Sequence, residues 1–497
     1  MKLHNTVQIR EIDAHTVLHG GIASYDLMER AAQRCIEWIL NNLGYRRSFI
    51  VLCGAGNNGG DGLAIARMLH QCGLEVKVLL MPADTYSADN LKNQEALKTA
   101  GVEVCDLSND KLKDLVDEDV VWIDALLGTG ARAVTDAIWM ELFETINRAK
   151  GLRVAIDLPS GLQGEAIPEP QHAVIRAAIT LCFHKPRLSF FFEESAAYIG
   201  HWDVLDIGLI EPDNLSTDWH YTTQADLQQC LHLRNPFSHK GSFGHALLAG
   251  GSIGKAGAVI LSAKAALRSG TGKVTAFVPR AALMPMQSAL PEAMCMVSES
   301  ESHLSGPLNP EHFNSIAFGM GAGTHDETAR LLKILIQNSP VPLVLDADAL
   351  NILSENKTWL AFLPASTILT PHPGEFDRLA GKSANSFERW QHARELAIKS
   401  GCIVILKGAY TRICLPSGQT YFNSSGNAGM ATAGSGDALS GIIAGLLAQG
   451  YSPEMAAIVG VFVHGMAGDA AAEQKGKIGL LAGDIIEALP EAWKKVE

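Results

Sequence analysis

The chain has 497 residues, 47% hydrophobic and 19% charged, which predicts two large domains with buried cores and excludes disordered, low-complexity and fibrous architectures. Its net charge of −13 argues against a general nucleic-acid binder or a protein of anionic membrane surfaces, while a local basic pocket for phosphates stays open. Nine cysteines, with no C-x-x-C pair and no zinc-like spacing, read as buried thiols of a reducing compartment. The first twenty residues hold His4, Arg10, Glu11 and Asp13, so no signal-peptide core is expected, and no apolar run reaches the ~20 residues of a membrane span. The expectation is a cytoplasmic protein with no membrane and no nucleic-acid partner.

The opening segment spaces Ile9, Ile12, Val17, Leu27, Met28, Ala31, Cys35, Ile36 and Ile39 as on helices packed against a sheet. From residue 48 one grammar repeats: a short apolar run, a turn of Gly, Asp or Asn, then a helical segment. The predicted strands are Phe49–Cys53, Val76–Met81, Val120–Asp124, Val154–Leu158 and Ile179–Phe183. Continuous rather than alternating apolar runs mean burial on both faces, hence a mostly parallel sheet with helices on each side. After Val204–Ile207, the polar stretch Glu211–Asp218 reads as a linker. The pattern restarts with His245–Ala249, Lys273–Val278, Ser315–Phe318, Val341–Leu345, Thr367–Leu369 and Ile403–Leu406. The boundary is expected near 215 to 225, giving domains 1–215 and 222–497. No repeat of ~20–50 residues links the halves, which read as two separate α/β folds.

Gly54 to Gly62, G-A-G-N-N-G-G-D-G, lies between a strand and a helix and contains G-x-G-x-x-G. Such a loop lets backbone approach a pyrophosphate with helix N-terminal amides aimed at its charge. A Rossmann dehydrogenase is one reading and a ligand-free turn another, yet Asn57, Asn58 and Asp61 are more polar than a plain pyrophosphate turn requires. Two further strand ends carry polar glycine loops, Asp124 running into Leu127–Arg132 and Asp157 into Leu158–Gly161. A lone Asp there commonly caps a helix or shapes a turn. In open parallel sheets, however, the ligand crevice lies outside the carboxyl ends of the strands, so the three loops should converge.

The glycine loop, D-A-L-L-G-T-G-A-R at 124–132 and I-D-L-P-S-G at 156–161 together resemble the NAD(P)H-hydrate epimerases, over about residues 8 to 212. Phe183–Pro186 and Val204–Gly208 follow the same pattern. The resemblance implies that Asn57, Asn58, Gly59, Gly60 and Asp61, with Gly128, Thr129, Gly130, Ala131, Arg132, Ala133 and Val134, line a hydrated dinucleotide. It also implies that Asp157 contacts the hydrated nicotinamide and that Asn58, Asp124 and Ser160 hold a potassium ion, a hard cation suited by oxygen ligands. Water added at C6 of a dihydronicotinamide makes a carbinolamine, whose epimers interconvert if the ring opens or hydroxide leaves. A carboxylate beside C6, with Asp157 as the candidate, serves either route.

In the second half, Gly250–Ala256 fails as a P-loop: its glycine spacing is one residue short, and Ala256 stands where Ser or Thr must hold magnesium. Gly426–Asp437 instead precedes a small-residue helix, aiming amides at phosphate oxygens with one carboxylate beside them. As a bare residue Asp437 could equally be an N-cap. Lys407–Thr411, after a buried strand, offers a nucleotide contact, and Thr370–Glu375 a third loop. G-S-G-D at 434–437 resembles the anion hole and catalytic Asp of ribokinase-like enzymes. With His239–His245 and Gly319–Gly323, these motifs resemble the ADP-dependent NAD(P)H-hydrate dehydratases over about residues 225 to 490. The resemblance implies that Ala258, Gly321, Gly323, His372 and Asp437 face the hydrated dinucleotide. It assigns Lys407, Gly408, Ala409, Tyr410, Thr411 and Gly436 to ADP, with Mg²⁺ accompanying the nucleotide. Asp437 would deprotonate or orient the C6 hydroxyl, which receives a phosphoryl group from ADP and then departs as phosphate. The family pattern has Pro where Ala428 and Met320 stand and Gly where Ala433 stands, the last a concern only if that residue needs positive φ.

Together the resemblances imply a bifunctional repair enzyme: an N-terminal Rossmann-like parallel sheet with helices on both faces, and a C-terminal ribokinase-like α/β domain. Its substrates would be NADHX, NADPHX and ADP. The epimerase would let both C6 epimers reach a dehydratase that takes the S form. A homo-oligomer is also implied. The competing reading is a ribokinase-like small-molecule kinase with a non-catalytic N-terminal binding or oligomerisation module. No residue type encodes the choice between the two hydrated cofactors, or between ADP and ATP.

Overall fold

The first sheet holds β1 (Phe49–Cys53), β2 (Val76–Leu80), β3 (Val104–Asp106), β4 (Val121–Ala125), β5 (Leu152–Ile156), β6 (Ile179–Phe183) and β7 (His201–Leu205), with buried apolar runs at its centre and partly exposed strands, β3 and β7, at its edges. The computed structural model describes residues 1–44, 48–116, 119–130, 133–228, 230–232 and 234–497. Within it this sheet runs β3-β2-β1-β4-β5-β6-β7, parallel at every pairing. That is the strand order of a dinucleotide-binding sheet, with the chain reversing direction of growth beside β1. All five residues of β1 and of β4 are buried. One face is covered by the helices Ser24–Leu43 and Asn57–Gln71, through Ala32, Ile36, Ile39, Leu63 and Ile65. The other is covered by Ala137–Arg148, through Leu142, Phe143 and Ile146. β5 starts and ends two residues earlier than the apolar pattern predicts, so Asp157 falls outside the strand in a left-handed turn, φ 66.

The chain divides into two compact units, Leu3–Thr217 and Asp218–Glu497, with Met1–Lys2 attached to the second. The second unit holds β8 (Trp219–Thr222), β9 (His245–Ala249), β10 (Lys273–Val278), β11 (Met294–Val297), β12 (Ser315–Phe318), β13 (Leu343–Leu345), β14 (Ile368–Leu369), β15 (Ile403–Leu406), β16 (Arg412–Cys414) and β17 (Thr420–Asn423). Their order is β11-β10-β9-β12-β13-β14-β15-β16-β17-β8. Only β16 runs antiparallel to its neighbours, and β8, first in the chain, closes the far edge against β17. The helix Ser435–Ala448 is buried almost throughout. Gly441 and Gly445 let it press onto the helix Ala256–Arg268 and the turn after it, since a Cβ at these positions would lie 2.0 Å from the Ser262 carbonyl oxygen and 2.5 Å from the Thr271 hydroxyl. The helix Pro453–Lys475 is long and apolar enough to cross a membrane, but 78% of its apolar window is buried inside the protein.

Candidate functional site

In the first unit, neighbouring strands β1, β4 and β5 each release a polar loop at their carboxyl ends. The glycine loop enters the helix Asn57–Gln71 through Gly56. Its glycines are used mainly for close packing: a Cβ on Gly54 would lie 1.8 Å from the Leu126 carbonyl oxygen, and one on Gly59 1.8 Å from the Gly54 carbonyl oxygen. The loop is thereby pressed against the β4 turn, bringing Asn58 against Gly128, where an added Cβ would sit 3.1 Å from the Asn58 Cβ.

Asp124 and Ser160 are buried and joined, the Ser160 hydroxyl donating to Asp124 Oδ1 at 2.6 Å and the Ser160 amide to Oδ2 at 2.8 Å. Leu127 N donates to the same hydroxyl at 2.8 Å. Burial pushes the Asp124 carboxyl up to about 6, against the lowering effect of the Ser160 and Leu126 bonds. Asn58 is buried too, and neither its Oδ1 nor its Nδ2 has a hydrogen-bond partner among the described residues. An orphaned amide oxygen near a carboxylate and a hydroxyl is a donor set that fits a hard monovalent cation.

A cavity of about 1180 Å³ opens over these loops, and Asn57, Asn58, Asp61, Gly128, Thr129, Gly130 and Asp157 line it. Gly59 and Gly60 lie behind the wall, Gly60 against the Met28 sulfur. Val134 is buried and bridged to Ala173, with Ala133 beside it. Ala131 and Arg132 lie outside the described residues. Three ionisable side chains that the motifs did not flag share the cavity: Asp13, Arg10 and Arg187. Arg187, buried, donates to Asp157 Oδ1 at 2.5 Å. It follows Phe183–Pro186 by one residue, so the motif stopped one position short of it. Asp13 had no local signal, being one of two acids, with Glu11, on a helix whose apolar and polar residues are barely segregated. Burial, then repulsion from Asp157, pushes the Asp13 carboxyl up to about 6, with Arg187 opposing. Burial and the carboxylates of Asp157, Asp13 and Asp89 push Asp61 well above the usual range.

In the second unit the helix Ser435–Ala448 starts at Gly434 in the left-handed conformation, φ 89, with Gly436 and Asp437 in its first turn. Their amides stand at the end of the helix where backbone donors lack intrahelical partners. Lys407 Nζ donates to Asp346 Oδ1 at 2.9 Å and lies 3.8 Å from Glu375. An added Cβ on Gly436 would be 3.1 Å from that same Nζ and 3.7 Å from Asp346 Oδ2, which also accepts from the Ser440 hydroxyl at 2.7 Å. Thus Lys407, Asp346, Gly436 and Asp437 come together. Burial, then Asp346, pushes the Asp437 carboxyl up to about 7, although Lys407 opposes the shift.

After Lys407 the loop runs through Gly408, φ 155, Ala409 and Tyr410, φ 49, to Thr411, whose hydroxyl donates to the Gly408 carbonyl at 2.9 Å. His372 caps the helix Pro373–Ala380, its Nδ1 accepting from Gly374 N at 3.0 Å. Gly321, φ 63, would bring a Cβ to 3.1 Å from that of Ala258, and Gly323 N donates to Asp348 Oδ2 at 2.8 Å. Ala433 is not among the non-glycine residues with positive φ, so its methyl is accommodated without backbone strain. Asp346 and Asp348 were missed from sequence, although D-A-D directly follows the predicted strand Val341–Leu345.

Two α/β units, each with acidic side chains among glycine-loop amides near strand ends, define an enzyme of the nucleotide-handling α/β class. A family model described as NAD(P)H-hydrate dehydratase matches residues 246–491, and one described as YjeF-related protein N-terminus matches residues 24–189. The bifunctional NAD(P)H-hydrate repair enzyme Nnr of Moorella thermoacetica is 36% identical, the alignment covering 100% of this chain and 97% of that protein. The enzyme of the same name from Coxiella burnetii is 36% identical, with 98% of each chain covered. A Bacillus subtilis ADP/ATP-dependent NAD(P)H-hydrate dehydratase, co-crystallised with ATP and Mg²⁺, is 29% identical over 56% of this chain and 99% of its own, with a TM-score of 0.48. The chain belongs to the family of bifunctional NAD(P)H-hydrate repair enzymes, with an epimerase domain followed by a dehydratase domain.

Proposed function

We propose that residues 1–215 interconvert the R and S epimers of the C6 hydrate of NADH and NADPH, and that residues 222–497 dehydrate the S form at the expense of ADP. The observation that carries the second half is Asp437 in the first turn of a helix whose amides face the Lys407 cluster. In this reading the amides of Gly436 and its neighbours hold the transferred phosphoryl group. Lys407, with the Gly408–Thr411 loop, contacts the ADP phosphates. Asp437 takes the proton of the C6 hydroxyl as its oxygen attacks the terminal phosphorus of ADP, and the bond from that phosphorus to the bridging oxygen breaks to release AMP. The phosphorylated C6 oxygen then leaves as phosphate, driven by the ring nitrogen lone pair, and loss of the C5 proton restores the dihydronicotinamide. Ala258, Gly321, Gly323 and His372 line the side where the hydrated ring would sit. Mg²⁺ accompanying the nucleotide would neutralise phosphate charge, and the carboxylates of Asp346, Glu375 and Asp437 around a single ammonium suit a cation nearby.

In the first unit the Asn57–Asp61 and Gly128–Val134 loops would hold the dinucleotide, with Asp157 beside C6. Asn58, Asp124 and Ser160 would hold potassium, which supplies positive charge beneath those loops when bound. The family resemblance further supports a cytoplasmic homo-oligomer. The test is to incubate racemic hydrated NADH with ADP, with ATP and with neither. Recovered absorbance in the reduced-nicotinamide band, dependent on nucleotide, is expected. A stable phosphorylated product without recovered NADH would overturn the dehydratase assignment.

A further inference from the structure

We propose that Asp13, on the helix Thr6–His19, is the general acid of C6 epimerisation, acting in the same cavity as Asp157 and selecting the route in which the hydroxyl leaves. This deepens the epimerase reading and rests on it. Asp13 is held in the cavity wall by the geometry of its helix. Arg10, Asp13, Ala14 and Val17 line the cavity, at the i, i+3, i+4, i+7 spacing of a single helix face. On the adjoining face Ile12 and Thr16 are buried, and Ile9, buried too, borders the cavity. The helix is fixed at its start by a capping box, in which Asn5 Oδ1 accepts from Gln8 N at 2.8 Å and Gln8 Oε1 from Asn5 N at 3.0 Å.

Among the described residues, the charged groups facing the cavity are Asp13, Asp61 and Asp157 against Arg10 and Arg187. Arg187 is committed elsewhere: it donates to Asp157 Oδ1 at 2.5 Å and to the Lys185 carbonyl at 3.3 Å. Asp157 is thus the ion-paired carboxylate, and Asp13 the one whose charge is opposed by burial and by its neighbour. Two carboxyls in one site with environments this different take different roles, one moving the proton and the other holding a fixed negative charge. Asp61 also tends to keep a proton, but it belongs to the loop that would hold the dinucleotide.

The chemistry balances with these groups alone. Asp13 gives its proton to the C6 hydroxyl oxygen. The C6–O bond breaks with its electron pair going to oxygen, so water departs, while the ring nitrogen lone pair forms the N1=C6 double bond. Asp157 offers its negative charge to that cationic ring. Water then adds to the other face of C6, the N1=C6 pair returns to nitrogen, and the Asp13 carboxylate recovers the proton. No oxidant or reductant is consumed.

The test uses the full chain without ADP, so that dehydration does not compete, and a single C6 epimer of hydrated NADPH in ¹⁸O-labelled water. Each interconversion should place solvent oxygen at C6, because the original hydroxyl has left. Ring opening would retain it, and unlabelled product epimer would overturn the route. Asp13→Asn should lower kcat about 10²-fold or more with KM little changed, and abolish the fall in rate that the wild type shows as pH rises through about 6. Asp13→Glu should restore both the rate, in part, and the pH limb. Wild-type kcat and pH profile in Asp13→Asn would overturn the role of Asp13. If the wild type interconverts no epimers at all, it is the epimerase reading that falls.

Discussion

The Lys407 ammonium is held between Asp346 and Glu375, 2.9 Å from the first and 3.8 Å from the second. All three side chains are largely withdrawn from solvent, so the lysine neutralises two carboxylates and keeps its own charge despite burial. Removing one member of such a cluster strands the others. Lys407→Met should destabilise the second unit by about 3 kcal/mol, seen as a lowered urea midpoint, and raise the KM for ADP more than that for the hydrate. An unchanged ADP KM would remove Lys407 from the nucleotide site.

Asp437 sits at about 7, displaced upward by burial and then by Asp346. As a base it works when ionised, so dehydratase kcat should rise with pH through about 7 and level above it. Asp437→Asn should cost about 10²–10⁴ in kcat. Stability runs the other way. A carboxyl whose folded value is raised favours the fold below the unfolded value and withdraws that support as pH climbs through the folded one. Asp437→Asn should therefore raise Tm relative to wild type more at pH 8 than at pH 4.

Glu211 binds Lys185, His4 Nε2 at 3.1 Å and His184 Nε2 at 3.0 Å. Burial alone would raise its carboxyl, but the Lys185 and His4 contacts draw it down to about 2. A depressed carboxyl gives its full contribution above the unfolded value and loses it as pH falls towards the folded one. Glu211→Gln should thus lower stability by about 1–2 kcal/mol at pH 7, a figure reduced for the side chain's partial exposure. The gap between variant and wild type should close between pH 4.5 and about 2, as read by denaturant titration at each pH.

The proposed potassium site at Asn58, Asp124 and Ser160 can be tested through thermal stability. Adding potassium in place of tetramethylammonium should raise the Tm of the first unit's transition, because a ligand that binds only the folded state stabilises it. Asn58→Ala should lose most of that response while its Tm in tetramethylammonium stays near wild type. An equal potassium response in both proteins would remove Asn58 from the ion site.

The α/β class and the buried strands were legible because runs such as Phe49–Cys53 and Ile403–Leu406 have no polar face to confuse their pattern. Strands β3, β8, β11, β16 and β17 were not: β3 and β16 have only three residues each, β8 and β17 mix polar with apolar side chains, and the short apolar run of β11 is largely exposed. The glycine loops announced themselves, although Gly54 and Gly59 turn out to serve helix–strand packing as much as ligand approach. Asp13, Arg187 and Asp346 stayed hidden for one physical reason: each acquires its meaning from a partner distant in the chain, as Arg187 does from Asp157 and Lys407 from Asp346.

Because β8 joins the sheet only through β17, with the Met1–Lys2 segment bridged to it at His220, the second unit cannot finish its sheet until nearly its whole sequence has been made. About 200 residues separate the two strands, which at about 5–20 residues per second is tens of seconds of synthesis. During that interval the edge of Trp219–Thr222 that β17 will cover waits without its partner, and an uncovered strand edge is prone to pairing with a neighbouring chain. Messages cut short before Asn423 should yield aggregating products, whereas those truncated just after Thr217 end where the first unit is already whole.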